Sequence, residues 1–109
     1  MDIPEVKSLF AKIPAQLAEE VFKALVRTPA FTLERIVSRG HCSASGQWYD
    51  QERDEWVLVV KGRARLLFEH RAEEVMMEAG DYLLIPAHCR HRVEWTDPDQ
   101  ETIWLALHY

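Results

Sequence analysis

The densest group of side chains that could bind a metal or move a proton surrounds a proline near residue 86. His88, Cys89 and His91 lie close together and are interleaved with arginines. The residues before the proline, Tyr82 to Ile85, form a short apolar run of the kind found in a buried strand. Pro86 cannot donate a hydrogen bond to a strand ladder, so the strand should end there. We therefore expect chemistry near His91, just past a strand end.

A carboxylate, Glu55, opens a second apolar run and could form an acid/base pair with His91. The plainer alternative is a buried carboxylate paired with a cation, because an unpaired buried charge is costly. Three arginines could supply that cation: Arg63, Arg90 and Arg92. His91 could likewise be a neutral, hydrogen-bonded histidine. The other three histidines are expected on loops or at the terminal surface: His41, His70 and His108.

The overall composition indicates one compact domain with a real core. The chain has 109 residues, of which 48% are hydrophobic, and a formal net charge of −5. A negative balance without a basic cluster argues against nucleic acid, and no apolar run has membrane-spanning length. The first residues do not resemble a secretory signal, so we expect a cytoplasmic protein with Cys42 and Cys89 as thiols.

The first thirty residues carry a helical pattern. Apolar residues repeat at three- and four-residue spacing within Ala15–Val26, and Glu5–Lys12 is similarly periodic. Thr28 precedes a proline and so avoids helical geometry, which ends the region. We therefore predict an N-terminal α-helical segment over residues 1–30, covering one face of a sheet formed by residues 31–109.

Beyond Phe31 the apolar pattern changes to a period of two. Glu55–Val60 is a clear strand, Lys61-Gly62 is a plausible hairpin turn, and Arg63–Glu69 should return antiparallel to it. Short strands with regular turns predict an all-β, antiparallel barrel or sandwich. Further strands are expected at Phe31–Val37, Gln47–Gln51, Glu74–Met77, Tyr82–Ile85, the stretch around His91–Trp95 and Thr102–His108.

The strand that begins at Glu55 is apolar on both faces. Val57 and Val59 share the face of Glu55, whereas Trp56, Leu58 and Val60 point the other way. Both faces must then be covered. The N-terminal segment can cover part of this surface, and a second copy of the chain can cover the rest. We therefore predict a homodimer, the commonest form of oligomer.

Two motifs give the sequence a resemblance to the cupin superfamily of small β-barrels. Glu55, six intervening residues and Gly62 resemble the end of the first cupin motif, and Gly80, Pro86 and His91 resemble the second. The resemblance covers roughly residues 31 to 109. It implies an antiparallel, jelly-roll-type cupin β-barrel, and the N-terminal segment resembles the extension of some small bacterial cupins.

In that family, two histidines and a glutamate of the first motif bind a divalent metal with a histidine of the second. Glu55 and His91 match, but the two first-motif histidines are missing. Their positions hold Tyr49 and Gln51, or, with one more residue of spacing, Trp48 and Asp50. The metal set implied by the resemblance is therefore Gln51, Glu55, His91 and His88, with Asp50 as a further candidate. The resemblance does not distinguish iron, manganese, nickel or zinc.

The barrel interior is the expected site for a small-molecule ligand. Trp48 and Tyr49 could line its mouth and stack on that ligand, or could simply pack at the rim. Because one fold hosts many functions, three alternatives stay open. They are a divalent-metal-dependent enzyme of isomerase or oxygenase type with Glu55 and His91 as catalytic residues, a metal-free ligand-binding module, and a structural or sensory dimer with a vestigial pocket.

Overall fold

The protein is all-β, and its strands lie in two antiparallel sheets. The computed structural model describes residues 3–71 and 73–109. The strands of the described residues are β1 (Val21–Arg27), β2 (Thr32–Ser38), β3 (Glu55–Lys61), β4 (Arg63–Phe68), β5 (Glu73–Glu78), β6 (Tyr82–Ile85), β7 (His91–Thr96) and β8 (Thr102–His108). Sheet one has five strands in the order β1-β2-β8-β3-β6, and sheet two has three in the order β5-β4-β7.

The core lies between the inner faces of the two sheets. Burial alternates along β3, with Glu55, Val57 and Val59 buried and the residues between them half-buried. This is the face assignment expected from the period-two pattern, because successive side chains of a strand point to opposite sides. The residues that meet at the centre come from both sheets: Val57, Val59, Ala64, Leu66, Met77, Ile85, Trp104 and Ala106.

The predicted N-terminal helix is wrong, since the described residues contain no helix. Part of the segment expected to be helical is β1, which pairs antiparallel with β2. Thr28 organises the turn between these strands, because its Oγ1 accepts hydrogen bonds from the backbone N–H groups of Ala30 and Phe31, both at 3.1 Å. The free edge of β2 offers a ladder of backbone hydrogen bonds, and this tertiary pairing overrides a local helical pattern.

The residues before β1 are irregular, and an arginine of β2 binds part of their backbone. Arg35 lies on the opposite side of β2 from Ile36, which packs against the core, so its side chain is on the outer face of sheet one. Its Nη1 donates hydrogen bonds to the carbonyl oxygens of Leu9, at 2.9 Å, and Ala11, at 2.8 Å. Residues 1 and 2 lie outside the described part of the chain, and the division at residue 30 stays a prediction. Within the described residues, no helix could span a membrane.

The predicted hairpin at Lys61-Gly62 is also wrong, because the two strands that it joins do not pair with each other. β3 pairs with β6 and β8, whereas β4 pairs with β5 and β7. Gly62 is the single residue between β3 and β4, so the chain crosses there from one sheet to the other. The corner is tight: Gly62 has φ +88°, and a Cβ would lie 2.6 Å from the carbonyl oxygen of Glu101 and from Cα of Thr102.

The short strand expected at Gln47–Gln51 is not formed as a full strand. It is reduced to one antiparallel bridge between Tyr49 and His91. The segment is polar and contains no apolar run long enough to specify a ladder, so only the residue that faces the start of β7 is paired.

We predict that Gly62→Ala strongly destabilises the protein. The added methyl group meets backbone atoms of β8 that cannot move without disturbing the sheet, and the positive φ adds strain, so the loss should exceed about 2 kcal/mol. Gly46→Ala is the matched control, because Gly46 also has a positive φ, +77°, but no atom of the described residues lies within 4 Å of the added Cβ. Urea unfolding of both variants measures the difference. Equal losses would show that the close approach to β8 costs nothing.

The outer face of sheet one carries an apolar patch that could seat a second copy. Cross-strand pairing aligns Trp56 with Leu84 and Leu107, and Leu58 with Tyr82 and Leu105. We call these six residues the outer patch. Tyr82 is 68% exposed and Leu84 is 53% exposed, although both are large apolar groups on one edge strand. Exposed apolar clusters of this kind are characteristic of protein interfaces, and the homodimer stays a prediction that we assign to this face.

We predict that Leu84→Asp weakens this dimer at least tenfold, because an interface aspartate would lose its hydration without gaining a partner. Met76→Asp is the control, since Met76 is similarly exposed, at 45%, but lies on β5 of the other sheet. Sedimentation equilibrium at micromolar concentration reports the association constant. A monomeric wild-type protein, or equal effects of the two substitutions, would contradict the assignment.

Candidate functional site

A cavity of about 70 Å³ lies between the inner faces of the two sheets. Alternate residues of β2, β3 and β8 form one wall, and β4 and β7 contribute the other, because inward side chains recur at every second position. Its lining combines carboxylates, imidazoles and apolar groups: Glu20, Phe22, Glu34, Ile36, Tyr49, Gln51, Glu55, Val57, Leu66, Ile85, His91, Val93, Trp104 and His108.

Glu55 and His91 meet in this cavity. Each is the first residue of its strand, Glu55 in β3 of sheet one and His91 in β7 of sheet two. The His91 Nε2 atom lies 3.6 Å from Oε1 of Glu55, and the two side chains are only 7% and 9% exposed. The backbone of His91 is held by Tyr49, whose N–H donates to the His91 carbonyl at 2.7 Å and whose carbonyl accepts from the His91 N–H at 3.2 Å. The pair is therefore buried and firmly positioned.

The hydrogen bond made by one ring nitrogen of His91 determines that the other nitrogen, which faces Glu55, carries the lone pair. Nδ1 lies 2.9 Å from the carbonyl oxygen of Cys89. A carbonyl can only accept, so Nδ1 carries the hydrogen and a neutral His91 presents the lone pair of Nε2 to the cavity. Oε1 of Glu55 is buried and has no hydrogen-bond partner among the described residues. Two acceptors thus face each other and leave room for a proton or for a donor group of a ligand.

The arginines do not neutralise Glu55. Arg63 pairs with Asp97 at 3.2 Å, Arg90 with Glu69 at 2.9 Å and Arg92 with Glu94 at 3.1 Å. Each of the three candidates from the sequence is thus engaged elsewhere. Of the two alternatives for Glu55, the structure favours the contact with His91.

A second acid–imidazole pair lines the same cavity and was missed by the sequence analysis. The Nε2 atom of His108 lies 3.0 Å from Oε1 of Glu34. This bond is the main cause that raises the pKa of His108 above its ordinary value, although partial burial opposes it. From the sequence, His108 is expected at the surface. The spacing in β8 was the signal that could have placed it in the cavity. His108 lies two residues after Ala106 and four after Trp104, so it shares their inward face.

Carboxylates also act on Tyr49, whose ring lies over His91. The ring centroids are 5.5 Å apart. Burial raises the pKa of Tyr49, and the nearby charges of Glu20 and Glu55 raise it further, so its hydroxyl stays protonated and can donate. Glu20 itself accepts a hydrogen bond from the Ser38 hydroxyl at 2.6 Å.

The structure separates the other predicted site residues into two groups. Gln51 and Tyr49 line the cavity with Glu55 and His91. His88 has φ 63°, and this left-handed bend turns its side chain outward, where Nδ1 contacts Asp50 at 2.8 Å and the side chain is 66% exposed. Trp48 does not line the cavity. It lies against Arg92, whose guanidinium carbon is 5.8 Å from the centroid of the Trp48 ring. The roles assigned to all six residues remain predictions.

These residues do not make a convincing site for the divalent metal that the resemblance implied. Nε2 of His91 and Oε1 of Glu55 are two suitable donors, and the amide of Gln51 is a third, weaker one. A transition-metal site normally has at least three protein ligands, mostly imidazole, thiolate or carboxylate. The described residues contain no group of three or more histidine, cysteine, aspartate or glutamate side chains arranged to hold a metal ion.

Several solved structures resemble this one. A protein from Ralstonia eutropha, named a "putative mannose-6-phosphate isomerase", is 45% identical with a TM-score of 0.91, covering 96% of this chain and 97% of that one. A cupin superfamily protein from Desulfitobacterium hafniense is 18% identical, with a TM-score of 0.72 and coverage of 88% and 82%. A Streptococcus pyogenes protein of unknown function is 14% identical, with a TM-score of 0.74 and coverage of 99% and 89%. The last two show similarity of fold alone.

A protein-family model identifies the family, although no curated protein matches the chain. The family model described as "Cupin domain" matches residues 39–108, which include Glu55, His91 and most of both sheets. With its two antiparallel sheets and the cavity between them, the chain therefore belongs to the cupin domain family.

Proposed function

We propose that this cupin is a small-molecule enzyme whose Glu55–His91 pair transfers protons without a metal. The observation that carries the proposal is the approach of His91 Nε2 to Glu55 Oε1 at 3.6 Å, where that buried oxygen accepts no hydrogen bond from any of the described residues. Burying an unpaired carboxylate costs free energy. Such a cost is commonly met at active sites, where perturbed acid and base groups are needed for chemistry.

The two groups have different roles in the proposed reaction. Because Nδ1 of His91 is occupied by the Cys89 carbonyl, Nε2 is the atom that takes a proton from the substrate. The imidazolium that forms is stabilised by the Glu55 carboxylate, and Nε2 then returns the proton to a neighbouring atom of the substrate. No electrons leave the substrate in this exchange, so the reaction is an isomerisation or a proton exchange.

The relative from Ralstonia eutropha supports the reaction type but not its phosphorylated substrate. The name of that protein includes an isomerase activity, which proton transfer by an acid/base pair could supply. Phosphate groups are normally held by arginine, lysine or clustered backbone N–H groups. The described residues that line the cavity include neither arginine nor lysine, so we do not extend the phosphate to this chain.

We predict that the wild-type protein, incubated in D₂O with a pool of small metabolites, introduces deuterium into one of them. His91→Gln and Glu55→Gln should each reduce that rate at least about a hundredfold, the usual range for a lost general acid or base. His88→Gln is the matched control, because His88 lies outside the cavity and should leave the rate unchanged. Mass spectrometry follows the label.

The same experiment distinguishes the alternatives. If deuterium exchange disappears when metal ions are chelated and returns in proportion to added metal, the metal-free mechanism is contradicted and a metal-dependent enzyme is favoured. Absence of exchange would contradict this enzyme mechanism and favour the ligand-binding module, for which a cavity lined by both apolar and polar side chains is suited. A ligand that raises the melting temperature without being labelled would then support binding. If neither deuterium exchange nor a rise in melting temperature is seen, the structural or sensory dimer is the alternative that remains.

A further prediction concerns the pH dependence contributed by His108. Its bond to Glu34 raises the pKa in the folded protein above the ordinary value of 6.5. The stabilisation is therefore full below that unfolded value and is lost as the pH rises through the higher folded pKa. We expect His108→Gln to reduce the free energy of unfolding more at about pH 6 than at about pH 9. Denaturant unfolding at both values measures this, and a loss independent of pH would contradict it.

A further inference from the structure

The charged groups of the cavity are predominantly acidic. Glu20, Glu34 and Glu55 contribute three carboxylates, and His91 and His108 are the only basic groups among its described lining residues. Even with both imidazoles protonated, the carboxylates outnumber the cations. Glu34 is offset by His108, at 3.0 Å. Glu20 is hydrogen-bonded to the neutral hydroxyl of Ser38 and forms no ion pair with any described residue, so its charge is uncompensated within that part of the chain.

Neighbouring arginines do not reverse this balance. Arg35 lies on the outer face of sheet one, where its Nη1 binds the carbonyls of Leu9 and Ala11. Arg53 contacts the hydroxyl of Thr32, at 3.5 Å, and its charge opposes the rise in the pKa of His108. Its side chain is solvent-exposed, so water weakens its effect on the buried carboxylates. An anion that entered the cavity would meet net negative charge in a partly desolvated space.

Two buried groups in the cavity wall indicate what a ligand must supply. Oε1 of Glu55 is an acceptor without a donor, on a side chain only 9% exposed. The indole Nε1–H of Trp104 is a buried donor without an acceptor among the described residues. Aromatic rings from Phe22, Tyr49 and Trp104 also line the space, and aromatic faces attract organic cations. A positively charged donor and a neutral oxygen acceptor on one small molecule would satisfy these groups.

We infer that the cavity selects a small hydroxylated amine in its protonated form, of the amino-sugar or amino-alcohol class, over phosphate esters and carboxylates. The ammonium group is recognised by Glu55 with Glu20 nearby in the same lining, and a hydroxyl oxygen accepts from Trp104. The inference rests on the proposed function, because it names the substrate class of that same site.

The test compares three probes of one ring size that differ in charge. Glucosamine is a cation at about pH 6, glucose is neutral and glucose 6-phosphate is an anion. The indole N–H resonance of Trp104, identified by its loss in Trp104→Phe, reports entry into the cavity. We expect glucosamine to shift this resonance at millimolar concentration, with at least about tenfold higher affinity than glucose, and glucose 6-phosphate to leave it unchanged.

Matched variants establish whether the cavity charge is the cause. Glu20→Gln should reduce the preference for glucosamine over glucose by roughly tenfold, the effect of one lost charge contact. Glu78→Gln makes the same change of net charge at an exposed position on β5 and should alter the preference less than about twofold, since remote surface charges are screened. Equal effects of the two variants would overturn the assignment to Glu20.

The outcomes also distinguish this inference from the proposed function. Binding of glucose 6-phosphate as tight as that of glucosamine, or no preference for glucosamine over glucose, overturns the charge selection and leaves the acid/base site intact. Deuterium exchange catalysed by the protein, with no shift by glucosamine, likewise overturns only the substrate class. If the protein catalyses no deuterium exchange and no probe shifts the Trp104 resonance, both the substrate class and the proposed function are overturned.

Discussion

The central constraint of the site is that two hydrogen-bond acceptors, Nε2 of His91 and Oε1 of Glu55, face each other between the two sheets. The Cys89 carbonyl occupies Nδ1 of His91, so Nε2 faces the unpaired Oε1 of Glu55. Neither group can satisfy the other unless a proton or a ligand donor joins them. The arrangement is costly for stability, because a buried carboxylate oxygen with no hydrogen-bond donor among the described residues loses its hydration. It is therefore best understood as a site prepared for a ligand or for proton transfer.

The fold creates this contact from the starts of two strands in different sheets. Glu55 begins β3 and is aligned with His108 and Ile85 by pairing on either side. His91 begins β7 and is bridged to Tyr49. The corner at Gly62 takes the chain from β3 directly into the second sheet, so the two walls of the cavity are joined within one residue. Only a residue without a side chain fits there, because β8 lies against it.

Much of the barrel could be predicted because apolar patterns in the sequence indicate where strands lie. Tyr82–Ile85 and Thr102–His108 have the predicted bounds, although Tyr82–Ile85 is a largely exposed edge strand and not the buried strand that its apolar run suggests. The motif positions of Glu55 and His91 correctly predict that the two residues lie close together. Features set by long-range pairing could not be obtained this way. The apolar spacing before Arg27 suits a helix, but the open edge of β2 converts it to a strand. A glycine corner and a hairpin turn look alike in sequence, and only the partner strands distinguish them.

The replaced histidines explain why this site should differ from a metal-binding cupin. Where the resemblance implied imidazoles, the cavity has Tyr49 and Gln51. Tyr49 packs its ring over His91, and burial together with nearby carboxylates keeps its hydroxyl protonated. A phenol that stays neutral, and an amide, can orient a polar ligand but contribute no charge to hold a dication. In our proposal the cavity carboxylates, of which Glu55 is the one kept from the family motif, act on the ligand itself. In a partly desolvated cavity their attraction for a cationic group is stronger than in water, so the loss of metal ligands and the acidic lining favour the same kind of molecule.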